Sequence, residues 1–176
     1  IYHNPLFLNT NSEKSYLKLV IFQHYMTNNI RDLYKFLFNE YGSQGWWPVL
    51  SEGYHIGKYD IPGSSNERFE ICIGAILTQN TSWRQVSAVL KNLNKEKLIT
   101  ATTLKKVPIS KIKAIIKPAG YFNQKAKKIK IFTDFYISLN GRTPSREELL
   151  EVWGLGKETA DSILLYAYNQ PFFVID

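Results

Sequence analysis

Residues 150–176 read Leu-Glu-Val-Trp-Gly-Leu-Gly-Lys-Glu-Thr-Ala-Asp-Ser-Ile-Leu-Leu-Tyr-Ala-Tyr-Asn-Gln-Pro-Phe-Phe-Val-Ile-Asp. A Gly154-Leu155-Gly156 turn separates two helical patterns, the second apolar and expected to begin at Thr159-Ala160, and a lone carboxylate, Asp176, follows it. Glycine has no Cβ, so such a turn can be tight and can approach another backbone closely. The helix start beyond it presents unpaired N–H groups at the positive end of a helix dipole, which together make an anion site. A phosphate clamp leading into a catalytic acid is the arrangement this stretch suggests. Gly-x-Gly alone also describes a plain corner between two helices, so the remainder of the chain has to decide.

Outward from the hairpin the chain reads as helix after helix. Thr143-Pro144-Ser145 starts the helix before the turn, with Ser145 and Glu148 spaced as a capping box. Residues 122–139 form a long helical pattern ended by Asn140-Gly141. Shorter helices are expected over 95–104 and 110–116, punctuated by Pro108 and Pro118-Ala119-Gly120. Val86, Val89, Leu90 and Leu93 make a stripe at helical spacing, 66–77 is a largely apolar helix, and Ile30, Leu33, Tyr34, Leu37 and Phe38 mark another over 29–41. No stretch alternates with period two, so the expected class is all-α.

Charge is distributed unevenly. Residues 91–130 hold twelve lysines against one acid, Glu96, a local balance of +11 that leaves −4 of the formal +7 for the rest. A basic face of this kind fits a polyanion, because each lysine near a phosphate adds affinity through counterion release; a solvated lysine-rich surface is the plainer alternative. With 44% hydrophobic and 14% aromatic residues the chain can enclose one sizeable core. No run of about 18 apolar residues suggests a membrane span, and no charged leader precedes an apolar stretch. The single cysteine, Cys72, lies in an apolar run and is expected in the core, which excludes an internal disulfide or a cysteine-rich metal site within these residues. His3, His24 and His55 lack metal-ligand spacing.

The loop Tyr41-Gly42-Ser43-Gln44-Gly45-Trp46-Trp47-Pro48 stands apart from the helical patterns. Two adjacent tryptophans do not both fit one helix-packed core, so at least one is expected to line a cleft, where an aromatic face stacks on a base or attracts a cation. Packing between helices is the alternative for either ring.

With these residues in view the chain resembles a known family. Ile76-Leu77-Thr78-Gln79-Asn80-Thr81, then Gly154-Leu155-Gly156-Lys157-Glu158-Thr159-Ala160-Asp161, then Phe173-Val174-Ile175-Asp176, stand in the order seen in helix-hairpin-helix DNA glycosylases of the endonuclease III superfamily. The tryptophan loop, Trp83 and Gly120-Tyr121-Phe122-Asn123-Gln124-Lys125-Ala126-Lys127 look most like its endonuclease III-related, 3-methyladenine DNA glycosylase branch. The similarity runs from about Trp46 to the last residue and is specific as a set.

The resemblance implies an all-α fold with a six-helix bundle over 46–176, the helix-hairpin-helix at about 148–168, and an N-terminal helical segment, 1–45, belonging to or packing on a second domain. It implies Asp176 as the catalytic carboxylate and Gly154, Leu155, Gly156, Lys157, Glu158 and Thr159 as the phosphate-gripping hairpin, with a possible monovalent cation at its carbonyls. Gln79 would be the wedge that fills the space of an extruded base, Asn80, Lys125, Lys127 and Lys128 further DNA contacts, and Trp46, Trp47 and Trp83 the base pocket. The expected partner is double-stranded DNA containing a damaged base, bound by a monomer with no membrane association, cytoplasmic and nucleoid-associated in a prokaryote. No cofactor or metal is expected within these residues. The family continues beyond the position of Asp176 with helices that complete the second domain, and a 4Fe-4S cluster is expected only where that region supplies cysteines.

The expected chemistry is hydrolysis of the N-glycosidic bond of a flipped base. Bond cleavage builds oxocarbenium character on the sugar, which an anionic Asp176 stabilises. An N-alkylated purine such as 3-methyladenine already carries positive charge and leaves readily, and is the preferred substrate. Bifunctional family members place a lysine two residues after the second hairpin glycine, where its amine attacks the sugar. Here that position is Glu158, and Lys157 is turned away by about 100° on a helix. The enzyme is therefore read as monofunctional. A bifunctional glycosylase/lyase acting on oxidised or mismatched bases and a noncatalytic DNA-binding module are the alternatives.

Overall fold

A computed structural model of the chain describes residues 29–175, which fall into two compact units, one ending at Gln44 and the other starting at Gly45. In the first unit α1 (Ile30–Tyr41) is capped by Asn29, whose side chain accepts from the Arg31 N–H at 2.9 Å. Its apolar stripe is present, and none of its residues is buried.

The second unit contains α2 (Ser65–Thr78), α3 (Trp83–Lys95), α4 (Ala101–Lys106), α5 (Ile109–Ile116), a 3-10 turn (Lys117–Ala119), α6 (Phe122–Ser138), α7 (Arg146–Glu151) and α8 (Lys157–Ser162). A π-helical turn, Ile163–Ala167, extends α8. The described residues contain no strand, only one isolated bridge between Val49 and Gly53. The fold is all-α.

The centre of this unit is α2. Every residue from Phe69 to Leu77 is buried, so this helix is covered on all sides. Val86, Val89, Leu90 and Leu93 of α3, Ile112 and Ile116 of α5, Ala126, Ile129 and Phe132 of α6 and Ile163, Leu164 and Ala167 of the π turn belong to the same core. Each enclosed Leu or Ile contributes about 1.5–3 kcal/mol relative to exposure. Cys72 is fully enclosed there, and burial pushes its thiol well above the usual range. Two capping boxes fix helix entries, Ser64 with Glu67 on α2 and Ser145 with Glu148 on α7. Arg142 braces the second, and the pair holds the Glu148 carboxyl down at about 2.

Two helix boundaries differ from expectation. Residues 95–104 do not form one helix: Lys97 takes φ +57, the Leu98 N–H reaches back to the Leu93 carbonyl at 2.8 Å, and Thr100 caps a new helix. The chain reverses there, and Leu98 and Ile99 of the connecting segment are both buried. The helix after the hairpin starts at Lys157, ahead of Thr159-Ala160, because Gly156 is its extended N-cap. No described helix is long and apolar enough to cross a membrane, and no group of three or more His, Cys, Asp or Glu among the described residues could hold a metal ion.

Candidate nucleic-acid interface

The hairpin closes through a Leu155 N–H to Val152 carbonyl bond at 3.1 Å. Gly154 sits at φ +89, and a Cβ there would come within 2.7 Å of the Lys128 stem, so this position excludes a side chain on both counts. Leu155 turns into the core, whereas Gly156, Lys157 and Glu158 are exposed. No side chain caps the start of α8. Arg146 of α7 grips Asp161 of α8 with two bonds, 2.6 and 3.0 Å, a partly buried bidentate clamp that fixes one helix of the motif against the other.

Gln79, the C-cap of α2, faces this hairpin. Its Nε2 donates to the Gly154 carbonyl at 3.2 Å and to Thr159 Oγ1 at 2.9 Å, and its Oε1 accepts from Lys128 Nζ. Three elements meet on one amide: the end of α2, the middle of α6 and the hairpin. The side chain expected as a wedge is engaged in protein–protein bonds, while its neighbour Asn80 is exposed at φ +52.

The three tryptophans form one cluster. Ring centroids lie 5.1 Å apart for Trp46 and Trp47, 5.0 Å for Trp46 and Trp83, and 5.4 Å for Trp47 and Trp83, and Tyr166 adds a fourth ring 5.6 Å from Trp47. Trp47 is 5% exposed and lies on Gly74 of α2, where a Cβ would stand 3.1 Å from the indole. Its Nε1 is buried without a hydrogen-bond partner. Trp46 is half-buried.

Successive side chains of α2 strap this loop down. Glu70 accepts from the Leu50 N–H at 2.7 Å and Glu67 from Ser51 Oγ at 2.6 Å, while His55 Nε2 meets the Trp47 carbonyl at 2.8 Å. Burial raises the Glu70 carboxyl to about 7, with the Leu50 N–H opposing and Glu67 adding to the rise.

Trp46 and Trp47 open onto a cleft of about 580 Å³ whose walls include Asn80 and Thr81. Glu158, Ser162 and Tyr166, spaced by four along α8 and its extension, form another wall, and Val174 reaches it two residues before Asp176. Asp176 itself lies outside the described residues. Trp83 joins the aromatic cluster without being among the cleft's lining residues. Tyr166, Ser162 and Thr81 were not singled out from sequence, although the spacing of 158, 162 and 166 was the signal for two of them. A smaller cleft of about 380 Å³ also has Asn80 in its lining, together with Gln79, Tyr121, Lys128, Trp153 and Gly154.

The lysines separate by role. Lys127 is exposed with its Nζ 4.2 Å from the Trp153 ring centroid, a cation–π contact. Lys128 is held by Gln79. Lys125, expected among the DNA contacts, is instead 2% exposed, and its Nζ donates to the Leu77 and Ala119 carbonyls at 2.8 Å each. It closes the C-terminal carbonyls of α2 and the 3-10 turn, because α6 turns residue 125 to the same face as Ala126 and Ile129. Burial, helped by the neighbouring Lys128 charge, lowers its ammonium to about 8.

Residues 73–176, more than half of the chain, match the family model for HhH-GPD superfamily base excision DNA repair proteins. The chain belongs to this family. A Methanocaldococcus jannaschii protein named as a candidate DNA repair glycosylase is 40% identical over 158 residues, covering 84% of this chain and 64% of that protein. Helicobacter pylori 3-methyladenine DNA glycosylase, solved bound to 1,N6-ethenoadenine, superposes with a TM-score of 0.58 at 32% identity, over 61% of this chain and 56% of that one. An endonuclease III trapped in a covalent DNA intermediate superposes with a TM-score of 0.56 at 28% identity, over 62% and 52%. The chain thus spans less than two thirds of these relatives. The chain's one cysteine, Cys72, is enclosed in the core.

Proposed function

We propose that the protein bearing this chain is a monofunctional DNA glycosylase that hydrolyses the N-glycosidic bond of an N-alkylated purine extruded from double-stranded DNA. The observation that carries this is the 580 Å³ cleft, walled by Trp46, Trp47 and Tyr166, with Glu158 as its one charged residue among the described lining groups. Its size is that of a small-molecule site. Aromatic faces and a carboxylate both favour a positively charged base over a neutral one. The hairpin beside it, with an uncapped helix start and exposed Lys157, suits the backbone phosphate of the same strand.

In this reading the sugar's developing oxocarbenium charge is stabilised by Asp176, which follows the wall residue Val174 and also orients the attacking water. A cationic purine leaves as a neutral base without prior protonation. Glu158, and not Lys157, lines the cleft, which supports hydrolysis over Schiff-base chemistry. The test is base release from methylated duplex DNA with Asp176→Asn as control, reading strand breaks before and after alkali. Breaks that need alkali and vanish in the variant are expected. Breaks without alkali would establish a lyase, and tight binding with no base release would leave a recognition module.

A further inference from the structure

Trp46 and Trp47 stand on a loop, residues 45–58, that bonds to itself at several points. The His55 N–H donates to the Gly45 carbonyl at 3.2 Å, and Val49 and Gly53 exchange two backbone bonds, 3.2 and 2.7 Å. A Cβ on Gly45 would lie 2.5 Å from the Ile56 nitrogen, so the two arms meet at a distance that glycine alone allows. Within this closure His55 is 9% exposed, next to Tyr54, whose ring stands 6.0 Å from that of Trp46. Its own ring spans two carbonyls of the loop: Nε2 lies 2.8 Å from the Trp47 oxygen and Nδ1 3.2 Å from the Lys58 oxygen.

A carbonyl only accepts, so each contact needs a ring N–H, and a ring with one N–H best serves the shorter. That carbonyl belongs to Trp47, which lines the 580 Å³ cleft, whereas Lys58 is exposed and is not among the described lining residues. We propose that His55 is a positioning residue for base excision: donating from Nε2 to the Trp47 carbonyl, it holds the paired tryptophans in place before DNA arrives. This rests on reading the tryptophan cleft as the seat of the extruded base. A loop that must be ordered as the base enters subtracts that ordering from the base's affinity, and a loop already held does not. The straps from Glu70 and Glu67 reach Leu50 and Ser51, beyond the tryptophans. Among the described residues, the side chain bonded to the backbone of the tryptophan pair is that of His55.

Two amide substitutions test it. His55→Gln puts an amide N–H near the place of Nε2 and His55→Asn near that of Nδ1, while both remove the ring from the same enclosed position. A merely structural role predicts equal effects. Single-turnover base release from methylated duplex DNA by the whole protein bearing this chain should stay within about threefold of wild type for His55→Gln and fall about tenfold for His55→Asn. Duplex affinity should hold within about threefold for both, because phosphate contacts lie at the hairpin. In the free protein, acrylamide quenching of tryptophan emission should rise for His55→Asn and match wild type for His55→Gln. Equal release from the two variants, or unchanged quenching in His55→Asn, would overturn the assignment. Quenching needs no DNA, so it decides the strap even where methylated DNA is the wrong substrate. Trp46→Ala separates the premise: if it releases base like wild type, the cleft reading falls and takes His55 with it. If it loses release while His55→Asn keeps it, the cleft reading stands and the His55 assignment alone falls.

Discussion

Replacing Lys125 by methionine keeps the length of a 2%-exposed side chain and removes its ammonium, which makes the energetic role of that group measurable. Two carbonyl oxygens, of Leu77 and Ala119, lose their described side-chain donor. At about 1–3 kcal/mol for each group left unsatisfied, the loss is about 4 kcal/mol. Against it stands the cost of holding a charge away from water: the fall of the ammonium from 10.5 to about 8 corresponds to about 3 kcal/mol at neutral pH. The substitution should therefore cost only about 1 kcal/mol at pH 7. Between pH 8 and 10.5 the unfolded chain holds a proton that the folded chain has released, so wild-type stability rises with pH through that window. The methionine variant has no such rise, and its deficit should widen to about 4 kcal/mol by pH 10.5. Urea midpoints of both proteins across pH 7 to 10.5 measure the gap, and titrations common to both cancel. A gap that stays flat or narrows would refute an enclosed, desolvated ammonium. The same variant should leave the salt dependence of DNA binding unchanged, since Lys125 is only 2% exposed and its ammonium is bonded to two backbone carbonyls.

Three further outcomes follow from the site. Gly154→Ala imposes a side chain at φ +89 and displaces the Lys128 stem, so it should lose about 1–3 kcal/mol, a drop of roughly 2–10 °C in melting temperature; an unchanged transition would sink the close-approach argument. Glu70→Gln tests the loop strap by pH: between 4.5 and about 7 the folded wild type holds a proton the unfolded chain has released, so wild-type stability falls as pH rises. The glutamine variant should gain about 3 kcal/mol on the wild type from pH 4.5 to 8, and equal pH profiles would place Glu70 in water. Glu158→Lys puts an amine on the cleft wall and should yield a borohydride-trapped complex with abasic DNA that the wild type does not form; trapping by the wild type would show that Lys157 reaches the sugar.

What could be read from sequence was set by local spacing. The capping box of Ser145 and Glu148, the α3 stripe from Val86 to Leu93 and the burial of Cys72 follow from periods of three and four, and the structure repeats them. Register held more than was taken from it. Lys125 shares a buried face with Ile129 and Phe132, four and seven residues on, so counting lysines over 91–130 as one basic surface ignored the face each occupies. Glu158, Ser162 and Tyr166 likewise form a stripe at spacing four, and only the closing of the cleft by Trp46 and Trp47 shows what that stripe faces.

The contacts on Gln79 belong to a different order of information, because its partners lie 49, 75 and 80 residues away. No local pattern encodes which polar groups meet across such distances; the folded core decides it by where it delivers α2, α6 and the hairpin. One consequence is that these sites do not act independently. The Lys128 stem fills the space a Gly154 side chain would need, its ammonium holds the Gln79 amide, and that amide holds the Gly154 carbonyl and Thr159. Removing any member unsettles the others, so single substitutions at Gln79 and Lys128 should each cost most of what the pair costs together. The hairpin, the middle of α6 and the end of α2 are thereby one mechanical unit, with the Gln79 amide as the joint between them.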